Sequence, residues 1–328
     1  MELVIHTLGT SVSRDGNGFV ITNQQGRKRL PADGLRSIQI GKGVQITSDA
    51  ILLAIEYEIE VLFIERSGKP AGRVWSPKYG SISTIRKGQL AFVSSPQATD
   101  WVKDVICKKI LNQQALLLTM RIADSSEKHE VDKVISRLEE YIRKVHLLEG
   151  TYVSDVASTL RGWEGVSSRI YFNAMNYFIP EAYRFECRSQ HPALDMTNAF
   201  LNYGYGVLYG KIEAELIKAG IDPYIGIMHR DEYNRPVLVY DVIELYRVWV
   251  DYVVYTLLAQ GLATDEFYSV RQDGSYWLEA LGRRVLIQSI NDYLDEIVEE
   301  KGLQRSRKSH LTLYAQQLAK IFKSHDSL

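Results

Sequence analysis

The chain has 328 residues, enough for two domains, of which 45% are hydrophobic and 24% are charged. This composition is typical of a soluble globular protein, and no internal repeat or low-complexity tract interrupts it. The net charge is −1, so charge alone does not indicate a protein that binds nucleic acid.

The sequence shows no feature that would direct the chain to a membrane or out of the cell. Glu2 and His6 interrupt the first apolar run, which therefore lacks the pattern of a signal peptide. Residues 51–64 are largely apolar but contain three glutamates, so they do not predict a membrane span. Cys107 and Cys187 have no motif spacing, which favours a reducing compartment. We expect a cytoplasmic protein without membrane association.

The first 80 residues predict a small β-rich domain with one helix. Short apolar runs, the first at residues 3–5, are typical of strands, and the sequence DGNG at residues 15–18 is a hairpin turn signal. Thr47 begins a polar capping sequence, which predicts a helix over residues 50–57.

A second, larger domain is expected to be all-α and to occupy residues 81–328. The sequence SPKYGS at residues 76–81 predicts the linker, because proline, glycine and serine together disfavour regular structure. Beyond it, helical periodicity continues nearly to the end of the chain. Helices are expected over residues 98–121, 131–145, 153–160, 164–177, 199–219, 248–260, 281–300 and 311–323. The fold class is therefore α+β.

The stretch from residue 226 to residue 247, GIMHRDEYNRPVLVYDVIELYR, contains the most promising chemistry of the chain. His229 ends a short apolar run, and residues 231–236 predict a polar turn. Residues 237–240 predict an extended segment, which leads into a helix that opens with Asp241.

Two acids of this predicted helix are expected to share a pocket with the histidine. Asp241 and Glu244 are three residues apart, so they lie on one helical face, and the turn returns His229 towards them. An imidazole and two carboxylates suit a divalent metal or acid–base catalysis. The residues alone leave a second interpretation open, in which His229 is structural and Asp241 only caps its helix.

Several other classes of protein are disfavoured by the motifs that the sequence lacks. It contains no GxxxxGK[ST] loop, no HExxH, no CxxC pair and no GxSxG. Gly204, Gly206 and Gly210 have the wrong spacing for a dinucleotide fingerprint and are better explained by close helix packing. Zinc is disfavoured because histidine and cysteine occur at no ligand spacing.

Short basic clusters are the candidates for contacts with a nucleic-acid backbone. The six residues are Arg27, Lys28, Arg29, Arg305, Arg307 and Lys308. A folded surface can gather such clusters into a phosphate-binding stripe. The alternative is an ordinary solvated surface of mixed charge.

Four motifs follow one another in an order that resembles a known family. They are WEG at residues 163–165 with SRIYF at 168–172, DMTNAFLNYGY at 195–205, GIMH at 226–229 and VYDVIELYR at 239–247. The set resembles the Cas-one (Cas1) family of CRISPR-associated adaptation integrases. The resemblance covers nearly the whole chain, including a β-rich first domain and a helical second domain.

The resemblance implies a metal-dependent DNA endonuclease or integrase, with the helical domain as its catalytic part. Such an enzyme joins the 3′-hydroxyl ends of captured DNA to the CRISPR repeat by transesterification. Carried over by position, Glu164, His229 and Glu244 ligate one Mg²⁺ or Mn²⁺. Asp241 completes the catalytic set, either by orienting His229 or as an outer ligand.

The resemblance also implies partners and flanking contacts. It predicts a homodimer formed through the β-rich domain, assembly with the small Cas-two (Cas2) protein, and binding to double-stranded DNA. Tyr240 and Arg247 flank the acids and are candidates for positioning DNA, although core packing explains Tyr240 equally well. Two other functions remain open: a metal-dependent nuclease or resolvase on branched DNA, and a non-catalytic DNA-binding scaffold.

Overall fold

The computed structural model describes residues 2–35, 37–65, 70–74, 82–120, 125–190, 192–229, 235–300 and 302–325. The linker expected at residues 76–81, and with it the predicted domain boundary, lies outside these ranges. Most of the polar turn expected at residues 231–236 also lies outside them.

The amino-terminal part is rich in strands, as the sequence predicted. In chain order its described elements are β1 (Glu2–Ile5), β2 (Ser11–Asp15), β3 (Gly18–Asn23), β4 (Gly26–Pro31), β5 (Ser37–Gly41), β6 (Gln45–Ile46), α1 (Ser48–Glu56), β7 (Glu60–Ile64) and β8 (Pro70–Arg73). One sheet has the order β1-β5-β7-β8, in which only the β7–β8 pair is antiparallel. The other has the order β4-β3-β2-β6, in which only the β2–β6 pair is parallel.

Local sequence signals account for the connections in this part. Gly16 lies in the two-residue turn between β2 and β3 and adopts a φ of +59°, a conformation that glycine allows without strain. The Thr47 side chain accepts a hydrogen bond from the Ala50 amide at 3.3 Å and so caps α1. Fully buried Val12, Phe19, Ile38 and Leu53 join α1 to both sheets in one apolar core.

The remainder of the chain is mostly helical, which confirms the predicted fold class. Its helices are α2 (Ile82–Val93), α3 (Pro96–Thr119), α4 (Ser125–Leu147), α5 (Val153–Met175), α6 (Met196–Lys218), α7 (Val237–Ile243), α8 (Arg247–Ala259), α9 (Ala280–Asp295) and α10 (Arg307–Ser324). Among the described helices, none combines the length and the apolarity that crossing a membrane requires.

Two short antiparallel hairpins interrupt this part, which was expected to be all-α. They pair β9 (Tyr268–Val270) with β10 (Tyr276–Leu278), and β11 (Ile297–Glu300) with β12 (Leu303–Ser306). The helix expected over residues 281–300 therefore ends at Asp295. Ile297 and Val298 are β-branched, and Gly302 adopts a φ of +76°, so local preference favours a strand and turn there.

Two further helix boundaries differ from the prediction. Residues 153–160 and 164–177 were expected to be separate helices, but α5 passes through Gly162 without a break. A single exposed glycine costs only about 1 kcal/mol relative to alanine, which the buried face of α5 offsets. Residues 237–240 were expected to be extended, but they form the first turn of α7. The side chains of Val237, Leu238 and Val239 are buried there, and this burial outweighs the preference of valine for strands.

Helix α6 packs closely on α8, and a glycine makes the approach possible. A Cβ on Gly204 would lie 2.5 Å from Cγ1 of Val250, so any larger residue would push the helices apart. This supports the packing interpretation for Gly204, but the interpretation was wrong for Gly206, which is exposed and where a Cβ would meet no atom within 4 Å. Beside the contact, the carboxylate of Asp251 is 1% exposed and accepts hydrogen bonds from the hydroxyls of Tyr171, at 2.9 Å, and Tyr205.

Burial makes the charged form of Asp251 unfavourable. It raises the pKa of this carboxyl from its usual 3.8 to about 6, although the two tyrosine hydroxyls oppose the shift. The raised pKa carries no penalty at low pH, where Asp251 is protonated in both the folded and the unfolded chain. At higher pH the unfolded chain ionises more easily than the folded chain, which lowers the stability of the fold. Stability is therefore lost as the pH rises from about 4 through about 6.

We predict that Asp251→Asn removes this loss of stability. Between pH 4 and pH 7 the wild-type chain should lose about 3 kcal/mol of unfolding free energy relative to the variant, from a pKa difference of about two units. Urea denaturation of both proteins at a series of pH values measures the difference. Parallel pH profiles would show that Asp251 is ionised in the folded chain without penalty.

Candidate metal centre

A cavity of about 140 Å³ in the helical part brings the four predicted catalytic residues together. Its polar lining comprises Glu164 of α5, His229 of the loop before α7, Asp241 of α7, Glu244 immediately after α7, and Arg161. The other lining residues are Trp101, Val102, Val105 and Ile106 of α3, and Met228. The site is therefore an acidic pocket with one apolar wall.

Glu164 reaches the pocket because of its position on α5. It follows buried Leu160 by four residues and so lies on the face of α5 that packs against α3. Ser168, one turn further on, donates its hydroxyl to Oε1 of Glu164 at 2.9 Å. This hydrogen bond fixes one carboxylate oxygen of a side chain that keeps only a quarter of its surface exposed.

Asp241 holds the loop that carries the histidine. Its buried carboxylate accepts the backbone amides of Ile227 at 2.8 Å, Met228 at 3.1 Å and His229 at 3.1 Å. The same carboxylate lies 2.6 Å from Nδ1 of the His229 ring. With these contacts made, Asp241 is placed to orient His229, which was one of the two roles expected for it.

The geometry around His229 leaves one ring nitrogen available. Nδ1 faces Asp241, while Nε2 has no hydrogen-bond partner in the described part of the chain. The hydrogen bond to Asp241 raises the pKa of the imidazole above its ordinary value, and partial burial opposes that shift. Because a metal binds only the neutral ring, protonation at low pH would compete with ligation.

Glu244 is nearly buried and is held by two cations. Arg247 donates Nε to Oε1 at 2.8 Å, and Nζ of Lys109 lies 2.5 Å from Oε2. The two cations thus occupy one carboxylate oxygen each. Burial alone would raise the pKa of this carboxyl, but Arg247 and Lys109 outweigh it and hold the pKa at about 2.

The sequence analysis missed two charged residues of the site, Arg161 of the cavity lining and Lys109. Lys109 lies on α3, is 4% exposed, and its ammonium contacts Oε1 of Glu164 as well as Glu244. A signal was present in the sequence, since Lys109 follows Val105 by four residues and Ile106 by three, on the apolar face of the helix. A lysine on such a face is rarely buried without a charged partner.

Gln89 was missed as well, and it anchors the start of the histidine loop. Its fully buried amide donates to the carbonyl oxygens of Asp222 at 2.8 Å and Ile225 at 3.2 Å, and accepts the Asp222 amide at 3.1 Å. Gly226 follows directly. A Cβ at that position would collide with the carbonyl oxygen of His229, so the loop requires glycine there.

The donor set fits a hard divalent cation, although the side chains are not arranged around one. Across the described ranges, no group of three or more His, Cys, Asp or Glu side chains converges as a metal site. The ammonium of Lys109 stands between the carboxylates of Glu164 and Glu244. Two carboxylates and one imidazole nevertheless suit Mg²⁺ or Mn²⁺, and the carboxylate oxygens that contact Lys109 are the ligand atoms that the two acids offer.

Tyr240 and Arg247, expected beside the acids, both form part of the pocket's surroundings. The ring of Tyr240 packs 5.1 Å from that of Tyr209 and 5.9 Å from that of His229. Arg247 pairs with Glu244, and its guanidinium lies 4.8 Å from the centre of the Tyr205 ring. Both are half-buried and help to fix the site.

The first basic cluster lies on the surface of the amino-terminal part. Arg27, Lys28 and Arg29 are exposed on β4, an edge strand of its sheet. Arg27 and Arg29 form loose ion pairs with Asp15, at 3.7 and 3.8 Å. Exposed pairs of this kind are weak, so the arginines stay free to exchange partners.

The second basic cluster is divided between different surroundings. Arg305 is exposed on β12. Arg307 is committed to internal contacts, since it donates to the carbonyl oxygen of Tyr293 at 2.9 Å and to Glu296 at 2.5 Å. Lys308 lines a groove of about 870 Å³ between the strand-rich part and the helices.

The motif at residues 195–205 supports the chain that precedes it. Asp195 caps α6 by accepting the Asn198 amide at 2.6 Å, and Thr197 donates to the carbonyl oxygen of Tyr183 at 2.6 Å. Asn198 donates to the carbonyl oxygen of Cys187, and Asn202 to that of Ser189, both at 2.9 Å. The backbone carbonyl groups before α6 are therefore satisfied by these polar side chains and not by regular secondary structure.

Comparison with solved structures shows that this chain has the fold of Cas1 proteins and of a casposase. A casposase bound to an integration product is 20% identical, with a TM-score of 0.72 over 98% of this chain and 95% of that one. A Cas1 protein from Thermotoga maritima is 18% identical, with a TM-score of 0.70 over 98% of this chain and 97% of that one. A partial Cas6-RT-Cas1–Cas2 complex is 23% identical, with a TM-score of 0.77 over 99% of this chain and 96% of that one.

Sequence comparison gives the family. The family model described as CRISPR associated protein Cas1 matches residues 3–292. A protein of Archaeoglobus fulgidus named CRISPR-associated endonuclease Cas1 1 is 30% identical over 329 residues, which cover 96% of this chain and 94% of that protein. A protein of the same name from Thermodesulfovibrio yellowstonii is 30% identical over 273 residues, covering 82% and 84%. This chain belongs to the Cas1 family, as the resemblance of its motifs indicated.

We predict that Gly226→Ala destabilises the chain, because the added methyl group displaces the carbonyl of His229 and loosens the loop held by Asp241. A loss of about 2 kcal/mol of unfolding free energy is expected. The matched control is Gly206→Ala, whose Cβ would meet no atom within 4 Å at an exposed position of α6. That change should be neutral or stabilise the chain by about 0.5–1 kcal/mol. Equal effects of the two variants in urea denaturation would contradict the assignment.

We also predict that Asp241→Asn lowers the pKa of His229. In the metal-free wild-type protein the imidazole should titrate above its ordinary pKa of 6.5, because the Asp241 carboxylate stabilises the charged ring. The asparagine has no negative charge and removes that stabilisation. Histidine NMR titration measures both values, with His229→Gln identifying the resonance. An unchanged midpoint in the asparagine variant would refute the proposed pairing.

Proposed function

We propose that this chain is a divalent-metal-dependent DNA integrase of CRISPR spacer acquisition. It joins the 3′-hydroxyl ends of captured DNA to the CRISPR repeat by transesterification. The observation that carries the proposal is that Glu164, which is distant in the sequence, lines one cavity with His229, Asp241 and Glu244. The endonuclease names of the Cas1 relatives, and a casposase with an integration product among the structural neighbours, support this chemistry.

Each residue of the pocket has a distinct part in this proposal. Glu164, Glu244 and Nε2 of His229 hold the cation, which is Mg²⁺ or Mn²⁺. When bound, it supplies positive charge for the scissile phosphate and for the transition state. Asp241 holds Nδ1 of His229, so that Nε2 is the nitrogen presented to the cavity.

The walls of the pocket strengthen this chemistry. The apolar face of α3, with Val102, Val105 and Ile106, excludes water from one side and so raises the strength of charge interactions inside. Arg161 lines the same cavity and is suited to a phosphate oxygen. Arg247 pairs with Oε1 of Glu244 and lowers the pKa of this carboxyl, so the acid stays ionised at neutral pH.

The proposal extends to organisation and partners. Residues 1–80 form a β-rich dimerisation domain, residues 81–328 form the catalytic domain, and the protein acts in the cytoplasm as a homodimer with Cas2 on double-stranded DNA. Solved neighbours that are titled as Cas1–Cas2 and Cas1–DNA complexes support the two partners. The exposed edge strand β4, with Arg27, Lys28 and Arg29, is available for pairing or for phosphate contacts.

Two alternatives use the same fold. A nuclease or resolvase on branched DNA would use water as the nucleophile in this pocket. A DNA-binding scaffold would use the acids only for structure. The gathering of three acids and one imidazole around a single cavity favours a ligand-binding role over a structural one.

We predict that Glu164→Gln and His229→Ala each lower DNA joining by about 100-fold or more, because each removes a ligand of the cation. The assay supplies a labelled duplex with free 3′-hydroxyls, a supercoiled target carrying the repeat, purified Cas2 and Mn²⁺. Glu140→Gln, an exposed acid on α4, is the matched control and should be neutral.

The products separate the three functions. Covalent transfer of the label to the target establishes integration, whereas nicking of the target without transfer establishes a nuclease. Undiminished activity of the Glu164 and His229 variants would establish that the acids are structural and would contradict the proposal.

A further inference from the structure

The ammonium of Lys109 occupies the space between the two acids assigned to the cation. Its contacts are an ion pair with Oε1 of Glu164 and another with Oε2 of Glu244, at 2.5 Å. These carboxylates are its polar partners in the described part of the chain. Because one nitrogen touches both acids, it stands where a shared divalent ion would stand.

The two acids depend on this lysine to different degrees. Glu244 has a second cation, since Arg247 donates to its other oxygen at 2.8 Å. Among the described residues, the carboxylate of Glu164 has only the hydroxyl of Ser168, at 2.9 Å, as a further partner. Without Lys109, the two carboxylates would face each other in a pocket with an apolar wall, and Glu164 would have no cation to compensate its charge among the described residues.

Lys109 is also buried in this position. It lies in the middle of α3, a helix of 24 residues, and only 5% of its side chain is exposed. The neighbouring Lys108, by contrast, is exposed and pairs with a single exposed acid, Asp104, one turn earlier on the same helix. Burying a charged lysine costs desolvation free energy, so Lys109 is not an ordinary surface lysine and a specific role is expected for it.

We infer that Lys109 is a positioning residue that holds Glu164 and Glu244 together before the cation binds, and that the cation displaces it. The lysine and the divalent ion therefore compete for the same two oxygens. This inference rests on the metal site of the proposed function. Lys109 thereby stabilises the metal-free chain and weakens its affinity for the cation.

The test compares Lys109→Met with wild type, using the full chain and Mn²⁺ as the probe. Methionine keeps much of the side-chain length and removes the charge. In EDTA the variant should melt about 5 °C or more below wild type, because two buried acids lose their shared cation. In calorimetric titration its Mn²⁺ dissociation constant should fall about tenfold or more, since a competing positive charge is gone.

Control variants separate competition from a general loss of stability. Lys108→Met removes an equivalent charge on the same helix outside the pocket, and should change neither the melting temperature in EDTA nor the Mn²⁺ affinity appreciably. The double variant Lys109→Met with Glu164→Gln should recover part of the stability lost in EDTA, because one of the unpaired acids is then neutral. A purely structural lysine would give the same loss of melting temperature with and without Mn²⁺.

The outcomes distinguish this inference from the proposed function. If wild type binds Mn²⁺ through Glu164 and Lys109→Met binds it no more tightly, the competition is refuted while the metal site stands. If neither protein binds Mn²⁺, the metal site of the proposed function fails, and the inference fails with it. Binding by the variant at concentrations at which wild type shows none would support the competition most strongly.

Discussion

The carboxylate of Asp241 determines where His229 lies relative to Glu244, and the histidine side of the site depends on it. It accepts three consecutive backbone amides, from Ile227 to His229, and also faces the ring of His229. A short loop has no regular hydrogen-bond partners of its own, so one buried acid takes the place of secondary structure. The helix that carries this acid also leads directly to Glu244. One anchor therefore fixes the histidine and the second acid relative to each other.

A second constraint is the balance of charge in a partly buried pocket. Glu164, Asp241 and Glu244 would repel each other strongly in a medium less polar than water. The chain compensates with Lys109 on α3, Arg247 on α8 and the backbone amides around Asp241. These cations come from helices on different sides of the pocket. The packing of α3 against α5 and α8 is thus a condition for placing the acids so close together.

Much of the fold could be predicted because its signals are local. The DGNG turn, the cap at Thr47 and the long apolar period of α3 each depend on a few neighbouring residues. The prediction was wrong where tertiary packing decides: α5 continues through Gly162, and residues 237–240 are helical because they are buried. The two carboxy-terminal hairpins were missed because each strand has only three or four residues.

In the candidate site, too, local sequence signals indicated some residues, whereas the positions of others depend on tertiary packing. Asp241 and Glu244 are related by helical spacing, which the sequence displays directly. The approach of Glu164 depends on how α5 lies against α3, and only the order of the family motifs indicated it. Lys109 belongs to no motif that was considered, and its importance appears only when the acids on both sides of it are placed.

The central claim is that Glu164, His229 and Glu244 share one divalent cation, and the most direct measurement is anomalous diffraction from crystals soaked in Mn²⁺. The account predicts one strong peak between the carboxylates of Glu164 and Glu244 and next to Nε2 of His229, with the ammonium of Lys109 moved away. A cavity without a peak at saturating Mn²⁺, with Lys109 still between the two acids, would contradict it.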